Sequence, residues 1–133
     1  KSVTSIGRAA FYNCTKLSTI NIPENVTEIG ETTFFNCSSL RDVSISNGVI
    51  EIGEEAFSKC TELVNVSIPD SVTKIGASAF KNCTSLQSII IPGSVEKIEK
   101  MAFKGCSKLK NVILQSDMTE IGKDAFKDTL FVK

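Results

Sequence analysis

From Val3 to its end the chain repeats every 23 residues without a gap. Repeats start at Val3, Val26, Val49, Val72, Val95 and Met118. Isoleucine returns at Ile6, Ile29, Ile52, Ile75, Ile98 and Ile121, and phenylalanine at Phe11, Phe34, Phe57, Phe80, Phe103 and Phe126. Cysteine returns at Cys14, Cys37, Cys60, Cys83 and Cys106, and leucine at Leu17, Leu40, Leu63, Leu86 and Leu109. A fixed period of this length is the mark of a stacked array. One such unit cannot bury its own apolar face, so each coil must be covered by the coils above and below it. The recurring apolar residues are then columns of a continuous core. At a strand spacing of about 4.8 Å, six coils make a column roughly 25–30 Å long. The expected class is α/β and β-rich: one domain over residues 1–133, with six coils.

The fourth repeat, Val72 to Ser94, shows the layout of a coil. Leu86 to Pro92 alternates as a strand, with Ile89 and Ile91 facing one way and Ser88 and Ile90 the other. Pro92 lacks an amide donor and ends the pairing. Val72 to Ile75 reads as a shorter extended piece on the opposite side. Ala77 to Cys83 reads as a short helical or 3₁₀ turn, with Ala79, Phe80 and Cys83 on one face. Asn13, Asn36 and Asn82 fall near the end of that turn, where asparagine tolerates a left-handed conformation. Ala10, Thr33, Ala56, Ala79, Ala102 and Ala125 are all small, so neighbouring turns can approach closely. Gly7, Gly30, Gly53, Gly76 and Gly122 share a place with Glu99, which implies a bend that prefers glycine without demanding it. Where the proline column breaks at Ser46, Asn47-Gly48 still signals a turn.

These positions resemble a known family. Leu17-x-x-Ile20-x-Ile22-x-x-Asn25 fits the strand and turn of a leucine-rich repeat. The longer unit, Cys-x-x-Leu-x-x-Ile-x-Ile-Pro followed by Val-x-x-Ile-Gly-x-x-Ala-Phe-x-x-Cys, is similar to the BspA-like (Treponema-type) subclass. The resemblance implies a right-handed, curved leucine-rich-repeat solenoid with a parallel sheet on its concave side. It also implies an extracellular or cell-surface location and a role in adhesion or in binding host or matrix proteins. The chain departs from the ordinary leucine-rich pattern at one turn position. There Asn25 is followed by Gly48, Ser71, Ser94 and Asp117, so a full asparagine ladder is absent.

Catalysis finds little support in the residues. There is no histidine, which removes the commonest general base and metal ligand together. Glu28, Glu51, Glu54, Glu55, Glu62 and Glu120 scatter over outward positions interleaved with lysines, as on a solvated mixed-charge face. No pair converges as glycoside hydrolysis would need. The five cysteines share the phase of buried Phe and Leu and lack the close pairs of a zinc site. They read as a reduced, buried column. No phosphate loop is present. The expectation is a protein that is not an enzyme and has no metal or other cofactor. A formal net charge of zero gives no nucleic-acid footprint, and no apolar run reaches membrane-span length. Sequons at Asn13, Asn25, Asn36, Asn65 and Asn82 would matter only in a eukaryotic secretory pathway.

Binding specificity has to come from residues that differ between repeats. The outward positions of the main strands form two columns: Thr19, Asp42, Asn65, Ser88, Asn111, and Asn21, Ser44, Ser67, Ile90, Ile113. Beside them run Ser18, Arg41, Val64, Gln87 and Lys110. Arg41, Asp42, Asn65, Ser67, Gln87, Ser88, Ile90, Asn111 and Ile113 are the candidate binding residues, with Ile90 and Ile113 as an apolar patch among polar partners. The plainer reading is that β-branched residues favour strands and two exposed isoleucines need no explanation. The leading expectation is an interaction module for a protein ligand, and the alternative is a structural spacer or stalk. Lys1 and Ser2 lead straight into a repeat with no signal peptide and no polar cap, so the chain reads as a piece of a longer array. The sixth repeat drifts at Thr129 and Leu130 and reads either as a native cap or as a cut edge. Open strand edges at the ends permit end-to-end association.

Overall fold

The computed structural model describes residues 6–131; Val3, the expected start of the first repeat, lies outside them. The stretch after each recurring leucine forms a main strand: β1 (Thr19–Ile22), β3 (Asp42–Ile45), β5 (Asn65–Ser67), β7 (Ser88–Ile91) and β9 (Asn111–Leu114). The stretch after each later repeat start forms a two-residue strand: β2 (Glu28–Ile29), β4 (Glu51–Ile52), β6 (Lys74–Ile75), β8 (Lys97–Ile98) and β10 (Glu120–Ile121). All pairing is parallel and in register with the repeat. The alternation in β7 is the one the sequence implies: Ile89 and Ile91 are buried, Ser88 and Ile90 exposed. The chain is a parallel β-solenoid of the leucine-rich-repeat type.

The short strands make one unbroken sheet, in the order β10-β8-β6-β4-β2. The main strands do not. They form two sheets, β1-β3-β5 and β7-β9. Pairing runs over four residue pairs between β1 and β3 and over three between β3 and β5. It vanishes between β5 and β7 and returns to four pairs between β7 and β9. Each shortening meets a proline on the incoming coil. Pro69 removes the last donor towards β3, and Pro92 removes the corresponding donor towards β5.

The turns on the third side are not helical, which corrects the expectation from the residue pattern. In the fourth coil the amides of Ala79, Lys81 and Cys83 bond within the coil, to the carbonyls of Gly76, Ser78 and Phe80. The intervening amides of Ser78, Phe80 and Asn82 donate to the next coil, to Lys100, Ala102 and Lys104 at 3.0, 2.7 and 2.8 Å. A helix would use every amide internally; here half of them join the coils. The result is a run of β-turns that needs positive φ at two places. The second is the one anticipated for asparagine: φ is 60° at Asn13, 58° at Asn36 and 63° at Asn82. The first falls on Thr32, Glu55, Ser78, Met101 and Asp124, with φ of 54–59°. A left-handed conformation at a non-glycine residue costs roughly 1–2 kcal/mol, which the inter-coil bonds must offset.

The recurring Gly30, Gly53, Gly76 and Gly122 answer to close approach rather than to φ, whereas a Cβ on Gly7 would meet nothing within 4 Å. A Cβ on Gly53 would lie 2.7 Å from the Ile29 carbonyl oxygen and 2.8 Å from the Gly30 carbonyl carbon. On Gly93 the nearest atom would be 3.9 Å away. Gly53→Ala is therefore expected to cost about 1–3 kcal/mol by overpacking, and Gly93→Ala no more than about 0.5 kcal/mol. Urea unfolding of the two variants checks the contrast.

The core is columnar. Phe34, Phe57, Phe80 and Phe103 are fully buried. Their rings, with Phe11 and Phe126 at the two ends, stack at 5.1–5.2 Å with planes within 8° of parallel. Phe131 closes the last step edge-on against Phe126 at 5.1 Å. Ile29, Ile52, Ile75 and Ile98, and Leu40, Leu63, Leu86 and Leu109, are likewise fully buried. Thr33 replaces the recurring alanine at no cost in unsatisfied groups, because its hydroxyl donates to the Gly30 carbonyl at 2.7 Å.

Candidate functional site

All nine candidate residues lie on or beside the main strands, and the sheet break divides them. Asp42, Asn65 and Ser67 lie on β3 and β5, with Arg41 just before β3. Ser88, Ile90, Asn111 and Ile113 lie on β7 and β9, with Gln87 just before β7. Within the first group Asp42 pairs with Asn65, and the Asn65 side-chain amide donates to the Asp42 carboxylate at 2.6 Å. Within the second, Ser88 pairs with Asn111 and Ile90 with Ile113. Ile90 is 53% exposed and Ile113 is 54% exposed, so two β-branched side chains stand side by side in solvent. Arg41, Ser67 and Gln87 are exposed and Asp42 is half-buried.

Between the two groups lies a groove of about 350 Å³, lined by residues of β5 and β7 and by Val64, Ile68, Asp70, Pro92 and Gln115. Val66, Ile68, Asp70 and Gln115 were not among the positions singled out from the repeat; Val64 was placed beside the outward columns and Pro92 was read only as the end of a strand. The one signal for them was proline at the same place in two successive coils, Pro69 and Pro92.

The short-strand face is ordinary. On the short-strand sheet Lys74 lies 3.3 Å from Glu99 and 3.7 Å from Glu51, and Lys97 lies 3.7 Å from Glu99. The hydrogen bond to Glu99 and the charges of Glu51 and Glu99 hold the Lys74 ammonium above its usual range. These exposed pairs fit a solvated mixed-charge face. On the turn side Tyr12 stacks on Phe35 at 5.2 Å, and Lys59 lies 5.8 Å over the Phe35 ring. The asparagine ladder has a substitute: the hydroxyls of Ser71 and Ser94 donate to the carbonyls of Val49 and Val72, both at 2.7 Å.

The cysteines are free thiols; Cys37, Cys60, Cys83 and Cys106 are buried and Cys14 is half-buried. Each buried thiol donates to the carbonyl of the phenylalanine one coil back: Cys37 to Phe11, Cys60 to Phe34, Cys83 to Phe57 and Cys106 to Phe80, at 3.0–3.2 Å. Burial pushes the Cys37 thiol up to about 11, the Cys60 thiol up to about 12, and Cys83 well above its ordinary value. A thiol held protonated is a poor nucleophile and a poor ligand. Among the described residues no group of three or more His, Cys, Asp or Glu side chains gathers to hold a metal, and no helix is long and apolar enough to cross a membrane.

Residues 28–133 match the family described as the BspA type leucine rich repeat region, in six copies. A leucine-rich repeat protein from Eubacterium ventriosum superposes with a TM-score of 0.91 at 30% identity, over 98% of this chain and 36% of its own. A leucine-rich repeat protein of T. pallidum superposes at 0.76 with 26% identity, over 90% of this chain and 67% of its own. A leucine-rich cell surface protein from Faecalibacterium prausnitzii superposes at 0.62 with 29% identity, over 97% of this chain and 43% of its own. The chain thus spans less than half of two of these three relatives. No curated protein matches it in sequence.

Proposed function

The chain belongs to the BspA-type leucine-rich repeat family, and from that membership we propose that it is a non-catalytic interaction module of a cell-surface or secreted protein, binding a protein ligand across its main-strand face. The observation that carries this reading is the in-register pair Ile90 and Ile113, each more than half exposed. Around the pair stand polar groups able to orient a ligand: Ser88 and Asn111 beside it, and the bonded Asp42–Asn65 pair across the groove. Extended solenoid faces are where such repeats present their variable residues. The surface location is supported by the printed description of the Faecalibacterium relative as a cell surface protein.

The test is a binding screen of the chain against host extracellular proteins, followed by Ile90→Lys with Ile113→Lys. Placing two ammonium groups in the centre of an apolar contact is expected to reduce binding at least tenfold while the circular dichroism spectrum stays unchanged, since both side chains already face water. Binding that survives this change and also alanine at Asp42 and Asn65 would move the site off this face. A second reading is favoured by one observation. Among the described residues the main-strand face carries no aromatic side chain and, in Arg41, a single arginine, the residue types that usually dominate interface energy. On that reading the segment is a spacer that holds a binding domain away from its anchor, and the screen returns nothing.

A further inference from the structure

The turn side carries its charge in blocks. One of its columns runs Tyr12, Phe35, Ser58, Lys81, Lys104 and Lys127, one residue per coil. The backbone holds this column in line. The amides of Asn13, Asn36, Lys59, Asn82 and Gly105 donate across the coils to the carbonyls of its last five members, at 2.8–2.9 Å. Lysine fills the last three places, one rung apart, over about 10 Å. Four residues earlier in the coil, Lys100 and Lys123 repeat the arrangement, their carbonyls accepting from Ser78 and Met101 at 3.0 Å. Lys81 and Lys104 are half-buried along their stems, and Lys100, Lys123 and Lys127 are exposed. Like charges side by side on neighbouring rungs repel. Among the described residues none of these five lysines takes part in a salt bridge, although Asp124 and Asp128 stand on the same turn of the last coil. The short-strand face treats its lysines differently: Lys74 and Lys97 are set against Glu51 and Glu99 at 3.3–3.7 Å. Glu54 and Glu55, on the turn of the third coil, bound the basic strip on one side.

We propose that this strip binds a linear sulfated polysaccharide, laid along the lysine column from coil to coil. Cations spaced one per rung match a ligand whose anionic groups recur along a line, which a single small anion does not offer. An ammonium is a point charge with three rotatable donors, so it takes sulfate oxygens from several directions, where the arginine fork selects planar, bidentate partners. The same column leads through Ser58 to the stacked rings of Phe35 and Tyr12, 5.2 Å apart. Tyr12 is 49% exposed, and the negative face of an aromatic ring suits the C–H groups of a sugar. From Tyr12 to Lys127 is five rungs, about 24 Å, enough for a chain of several sugar units. Nucleic acid is the other common linear polyanion. It is disfavoured by a formal net charge of zero, since domains that hold it are basic as a whole, and a duplex across the turn side would meet Glu54 and Glu55. The strip lies on a different side of the coil from Ile90 and Ile113 and goes beyond the protein-ligand reading of the main-strand face.

The test titrates the whole chain calorimetrically with a heparin hexasaccharide and with its fully desulfated form. The sulfated form should bind, about tenfold more weakly in 200 mM than in 50 mM salt, and the desulfated form should not. Lys104→Ser with Lys127→Ser, copying what Ser58 already places in this column, should weaken binding at least fivefold. Lys74→Ser with Lys97→Ser removes the same charge from the short-strand face and should change binding less than twofold. Circular dichroism and the urea midpoint check that both variants stay folded. Equal weakening by the two double variants would reduce the effect to net charge and overturn the strip, as would no binding of the hexasaccharide. Tighter binding of an oligothymidylate of equal charge, or of phosphatidylglycerol vesicles, would overturn the choice of ligand. None of these readouts uses a protein ligand, so failure of the strip is distinguishable from failure of the main-strand face.

Discussion

Phe80→Ala is expected to lower the free energy of unfolding by about 3–5 kcal/mol, and Phe126→Ala by clearly less. Phe80 is fully buried and sandwiched between Phe57 at 5.2 Å and Phe103 at 5.1 Å, with ring planes 5° and 3° from its own. Removing it opens a cavity that two neighbouring coils line and neither can fill, because both are held in place by the ladders on either side. Phe126 is half-buried, and the ring beyond it meets it edge-on. Less apolar surface is lost there, and the neighbourhood can relax into solvent. A domain of this size has a total stability of about 5–15 kcal/mol, so the central change removes a large part of it. Urea denaturation followed by circular dichroism reads both variants. Equal losses at the two positions would contradict stacking in which each coil depends on its neighbours.

Alkaline pH should unfold the protein through its thiols. Cys37 and Cys60 hold their protons to about 11 and about 12, against an ordinary value of about 9, and Cys83 holds its proton well above that value. Burial is the largest cause in each case. Above pH 9 the unfolded chain releases these protons and the folded chain keeps them. The unfolded state then binds fewer protons, so stability must fall as pH rises. The contribution is whole below pH 9 and is lost as pH climbs towards 11 and 12. Each such thiol gives a slope of at most about 1.4 kcal/mol per pH unit, reached where the unfolded thiol is ionised and the folded one is not. Cys60→Ala should flatten the slope by about a third, which separates the thiols from lysine and tyrosine ionisation. In native buffer below pH 9 a thiol reagent should reach at most Cys14, the one half-buried thiol, and all five in denaturant. A stability that stays level to pH 11 would contradict the buried column.

The buried half of the molecule was legible because burial in a solenoid is periodic. Phe57, Cys60, Leu63 and Ile75 each meet their counterparts one repeat away, so a spacing in the sequence becomes a contact in space. Main-strand facing was legible for the same reason, down to Ser88 and Ile90 pointing outward. The turns were misjudged because residue pattern cannot distinguish a helix that bonds to itself from β-turns that send alternate amides to the next coil. Ser78 and Glu55 carry no mark of positive φ; their conformation is imposed by the ladder, not by their own preference. Gly53 was noted correctly as a glycine place, but its cause is a backbone one coil away. The break between β5 and β7 depends on a relation between two repeats, Pro69 followed by Pro92, which reading each repeat by itself does not expose. The candidate face was legible as a list of outward positions, but its division into two groups around a groove was not.

The most direct test of stacking between like residues is a double-mutant cycle on the phenylalanine column. Leucine is placed at Phe57 and Phe80, which are in contact, and separately at Phe34 and Phe103, which are three coils apart; leucine keeps a large apolar side chain at each place. The adjacent pair should be coupled by about 0.5–3 kcal/mol, and the distant pair should add to within about 0.5 kcal/mol. Additivity in the adjacent pair, or coupling of equal size in the distant one, would contradict a core built by contact between successive coils.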